Sequence, residues 1–184
     1  MSSKLTTILW HQFGATLDML ENAIKACPEH VWFDAANWQD STTEQKTLDT
    51  YKAEFWYWAY HVIFWTDYYL SNTTEEQFQP KPPYTKDEFD ERGLIPLRVY
   101  SNDELLEYLN YCREKLRAWI NSLNDQTLFD QSRASHREDY SVLEILLYNL
   151  RHVQHHSAQL NLLLRQRIDS APRWVSRTKH PLVK

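Results

Sequence analysis

Glycine occurs only twice in 184 residues. Sheet proteins turn through many positions that need positive φ, where glycine is the least strained residue, so this scarcity argues for an all-α chain. It also leaves no glycine-rich phosphate loop. Cysteine is equally scarce: Cys27 and Cys112 are too few for a disulfide framework. The opening Met1-Ser2-Ser3-Lys4 lacks the apolar core of a signal peptide, so a reducing, cytoplasmic setting is expected. No apolar run reaches the ~20 residues that span a bilayer. The most apolar segment, Phe55 to Leu70, is interrupted by His61, Thr66 and Asp67 and reads as a buried helix. An excess of cations is missing too: 20 Lys and Arg stand against 25 Asp and Glu, a net charge of −5 that disfavours general nucleic-acid binding. Only the end is locally basic (Arg165, Arg167, Arg173, Arg177, Lys179 and Lys184), as suits a helix C-terminus followed by a solvated tail.

What the sequence does contain is helical periodicity. Over 1–184 the composition shows no break, which fits a single domain with one core. Leu5, Ile8, Leu9, Phe13, Leu17, Leu20 and Ile24 recur at three- and four-residue steps and predict a first helix from about Ser3 to Ala26, ended by Pro28. A second helix, aromatic on nearly every side, is predicted from about Thr47 to Ser71. The stretch 72–100 holds Pro80, Pro82, Pro83, Gly93 and Pro96, so it reads as a long crossover with room for a short turn. It is long enough to carry the chain back and set the second and third helices parallel. Ser101-Asn-Asp-Glu104 and Ser141-Val-Leu-Glu144 match the capping box, in which serine and glutamate satisfy each other's backbone N–H groups, and mark the starts of the third and fourth helices. The fourth is predicted to run to about Asp169, leaving a basic tail over about 170–184. The expected architecture is a four-helix bundle with one long crossover.

One constellation carries chemistry. His152 and His156 are four residues apart and therefore stack on one helix face. Ile145 and Leu163 continue that stripe, so both imidazoles point to the interior. Buried imidazoles without partners cost ~1–3 kcal/mol each, and a metal ion satisfies both. The aromatic second helix offers His61, and a bundle core is where facing helices assemble such sites. Three imidazoles leave at least one coordination position open, as a catalytic site requires. Imidazole suits Zn, Ni, Cu or Fe; zinc is the expected ion in the cell, with nickel readily acquired. Trp58 and Trp65 beside His61, and Gln159 one turn beyond His156, are candidates to face a substrate, although aromatics of this size also simply fill cores. His155 falls on the flank of the stripe, in a supporting or surface role, and His11 either faces the site from the first helix or is exposed.

His61 late in an aromatic second helix, followed by His152-xxx-His156-xx-Gln159 in the fourth, resembles the DinB-like superfamily. The likeness extends to Thr66-Asp67-Tyr68-Tyr69-Leu70 and to Ala171-Pro172-Arg173-Trp174-Val175. The resemblance implies an up-down-down-up bundle, a divalent metal held by His61, His152 and His156, homodimers, and relatives that transfer or isomerise low-molecular-weight thiols. Ser157-Ala158 stands where many relatives have Arg-Gly. Three functions follow as expectations: metal-dependent activation of a small thiol toward an electrophile; a non-catalytic metal- or ligand-binding bundle for stress response or scaffolding; and metal-assisted hydrolysis. The last lacks its base, because Val153 follows His152 where an HExxH site has glutamate.

Overall fold

The computed structural model describes residues 4–33, 54–134 and 139–182. Its helices are α1 (Lys4–Ala26), the one-turn α2 (Glu29–Trp32), α3 (Phe55–Ser71), α4 (Asn102–Ser122) and α5 (Val142–Ile168). Both predicted capping boxes form. Ser101 and Ser141 each accept from the backbone N–H three residues on, while Glu104 and Glu144 each accept from the serine N–H at 2.8 Å. Asn72 and Asp169 end α3 and α5 in the left-handed region (φ 49° and 52°), which short polar side chains tolerate.

The α1 helix packs against α4 and α5, and α3 packs against the same two, so α1 and α3 sit on one diagonal of a four-helix bundle. Direction follows from the contacts. Asn102, at the start of α4, donates to the carbonyl of Ile24 at the end of α1 (2.6 Å), making these helices antiparallel. Tyr108 donates to Asp67 (2.8 Å) and Lys115 to Ser71 (2.6 Å), so α3 and α4 run the same way. Tyr69 meets Tyr148 (ring centroids 5.2 Å apart), and α5 runs against α3. The topology is up-down-down-up with residues 73–100 as the crossover, which holds one 3-10 turn at Asp87–Phe89.

The core is aromatic. Trp10, Phe13, Trp56, Tyr60, Phe64, Tyr68 and Tyr108 are wholly buried, each removing enough apolar surface to stabilise the fold by roughly 1.5–3 kcal/mol. Two buried tyrosine hydroxyls keep partners: Tyr60 donates to the carbonyl of Thr85 (3.2 Å), and Tyr108 shares the fully buried Asp67 with the Lys115 ammonium (2.5 Å). No described helix is long and apolar enough to cross a membrane.

Two features depart from the sequence reading. The α3 helix starts at Phe55 rather than Thr47, because Glu54 is extended (φ −105°, ψ 176°) and serves as N-cap; residues 47–53 lie outside those described. The tail is not merely solvated. It runs back along α1, where Thr178 N–H donates to the His11 carbonyl (3.1 Å) and Trp10 Nε1 to the His180 carbonyl (2.7 Å). Arg117 and Asn121 of α4 hold the carbonyls of Pro181 and Leu182. Gly14 makes room for this strap: a Cβ there would lie 2.6 Å from Thr178 Cγ2.

Candidate metal centre

The helical repeat puts His152 and His156 on the face of α5 that packs on α3, with ring centroids 4.6 Å apart. His61, mid-way along α3, lies 5.4 Å from the first and 4.9 Å from the second. One ligand nitrogen from each ring falls within 4.8 Å of the others, a spacing that could hold one metal ion.

The chemistry of the donors fits a cation. Among the described residues, the buried Nδ1 atoms of His152 and His156 have no hydrogen-bond partner, a condition that costs stability. Burial, reinforced by the neighbouring His61, pushes the pKa of His152 down to about 3 and that of His156 down to about 4. Both rings are therefore neutral at physiological pH, the state that binds metal.

A residue that the sequence reading missed completes the site. The side chain of Glu88, on the crossover's 3-10 turn, is 3% exposed and places Oε2 2.6 Å from His61 Nδ1. The same oxygen accepts from Trp65 Nε1 at 2.9 Å. Tyr57 stands beside this carboxylate, and burial together with the Glu88 charge pushes its pKa up.

The indole of Trp58 lies flat against His156 (centroids 5.5 Å apart, planes 19° apart) and edge-on to His61, forming one wall of the site. Trp65 is turned to Glu88 and supports it. Gln159 is exposed and hydrogen-bonds His156 at the solvent side. His155 is exposed, with its ring edge-on to His156 at 5.1 Å. His11 is half-buried on α1 and stands apart from the histidine cluster; its carbonyl anchors the tail.

Asp18, Glu21 and His180 form a second group with ligand spacing. There the buried Arg113 guanidinium already bridges the two carboxylates, at 2.5 Å to Asp18 and 2.6 Å to Glu21, so a cation would have to displace it. Neither cysteine competes as a nucleophile: burial pushes the Cys27 thiol up to about 12, and raises the fully buried Cys112 as well.

A family model described as the DinB superfamily matches residues 12–160. The chain belongs to the DinB superfamily. The match takes in all three clustered histidines and the crossover that delivers Glu88, and stops within α5, ahead of the tail. No curated protein and no solved structure matches the chain.

Proposed function

We propose that His61, His152 and His156 of this DinB-superfamily protein hold one divalent metal ion, zinc by preference, and that the site activates a small thiol for transfer to an electrophile or for isomerisation. The observation that carries the reading is the meeting of three imidazoles, two of them with unpartnered buried nitrogens, from two separate helices. An ion bound there would supply Lewis acidity, lowering the pKa of a thiol at the open position. The chain supplies the rest. Trp58 packs against His156 and His61, while the exposed Gln159 and His155 lie beside His156, on the side from which a polar thiol would approach. Glu88 does not serve as a hydrolytic base, because its carboxylate is buried and engaged by His61 and Trp65; this favours thiol chemistry over hydrolysis. The resemblance further supports a cytoplasmic homodimer, which sedimentation equilibrium tests.

Elemental analysis and calorimetric titration of untagged protein test the metal. One ion per chain is expected, with binding lost in His61→Ala and His156→Ala; a wild-type chain that takes up no Zn or Ni would sink the reading. Turnover of bacillithiol, mycothiol or glutathione with an electrophile, dependent on the ion, tests the chemistry. Metal binding without turnover of any thiol would leave the non-catalytic bundle as the function.

A further inference from the structure

Glu88 is an unusual residue to bury on a loop. Its side chain is 3% exposed, the Tyr57 hydroxyl hydrogen-bonds to it, and among the described residues its ion-pair partner is His61 rather than a lysine or arginine. Taking a carboxylate out of water costs stability, so packing alone gives no reason for glutamate at this position.

The turn that carries it is anchored on both sides. Phe89 is wedged among Phe64 (5.1 Å between centroids), Trp65 (5.4 Å), Tyr68 (5.0 Å) and Phe78 (5.8 Å). Lys86 donates to the carbonyls of Glu75 and Glu76. Oε2 is thus held in place, where it accepts from Trp65 Nε1 at 2.9 Å and lies in hydrogen-bond contact with His61 Nδ1 at 2.6 Å.

We propose that Glu88 is the positioning residue of the histidine site: by accepting the Nδ1–H of His61 it fixes the tautomer and angle of that ring, leaving Nε2 for the ion shared with His152 and His156. A carboxylate behind a histidine ligand also makes the ligand more basic. Glu88 acts through His61 and is not itself a ligand, since it falls outside the group whose donor atoms converge. The inference rests on the metal reading above, and it makes the crossover part of the site.

Two measurements test it. Competition titration against a chelating dye gives the Zn²⁺ affinity of wild type, Glu88→Gln and Trp65→Phe. Long-range ¹H–¹⁵N NMR of metal-free wild type in mildly alkaline buffer reports the His61 tautomer. Glu88→Gln is expected to weaken binding by about 10–100-fold with the helical circular dichroism unchanged. Trp65→Phe removes the other donor to the same oxygen and is expected to lose less. His61 is expected as the Nδ1–H form with Nε2 bare. Unchanged affinity in Glu88→Gln, or an Nε2–H tautomer, overturns the proposal while wild-type binding leaves the metal reading standing. A wild type that binds no ion overturns both. Should Glu88→Gln fail to fold, the wild-type tautomer decides.

Discussion

At the scale of the residue, three histidines were legible and one glutamate was not. The four-residue spacing of His152 and His156, continued by Ile145 and Leu163, determines a helix face whatever the rest of the chain does. His61 stood out as the one imidazole in an aromatic helix. Glu88 sits among Asp87, Asp90 and Glu91 in a proline-rich crossover without periodicity, where nothing local says which carboxylate turns inward. Burial of the imidazoles also sets a pH dependence. His152 and His156 titrate near 6.5 when unfolded but at about 3 and about 4 when folded. Folding therefore disfavours their protonation: the metal-free protein keeps its full stability above about pH 6.5 and loses part of it as pH falls toward 4. The urea midpoint is expected to drop over that window, and to drop less in a His152→Gln, His156→Gln double variant; equal slopes would show that other groups carry the effect.

At the scale of the element, serine and glutamate three apart gave α4 and α5 their starts to the residue, because a capping box is a local hydrogen-bonding device that needs no tertiary partner. The start of α3 was less legible. Tyr51 continues the aromatic pattern upstream of Glu54, and periodicity alone does not register an extended backbone at a single residue. The cap of α5 matters beyond its own turn, since that helix carries two of the three clustered histidines. Ser141→Ala is expected to cost about 1 kcal/mol in chemical denaturation and to leave the metal stoichiometry unchanged, the cap lying more than two turns from His152.

At the scale of the whole molecule, the bundle was legible from four stripes and one crossover, but the strap was not. Residues 170–182 have no helical or strand pattern, and their place depends on groups far away in sequence, the carbonyl of His11 and the side chains of Trp10, Arg117 and Asn121. Gly14 tests the strap by a change of sign. Mid-helix Gly→Ala ordinarily stabilises by about 1 kcal/mol, yet here the new methyl would meet Thr178. Gly14→Ala is expected to lower the melting temperature of the full chain, and to raise it in a chain truncated after Ser170 or carrying Thr178→Gly; stabilisation of the full chain would show that the tail is not docked. The strap also descends α1 against its direction, so residue 182 comes to rest near Trp10, toward the end where α1 begins. Tension applied to the two chain ends would therefore load the strap's hydrogen bonds one after another, as in an opening zipper, and peel it from α1 before the bundle itself bears the force.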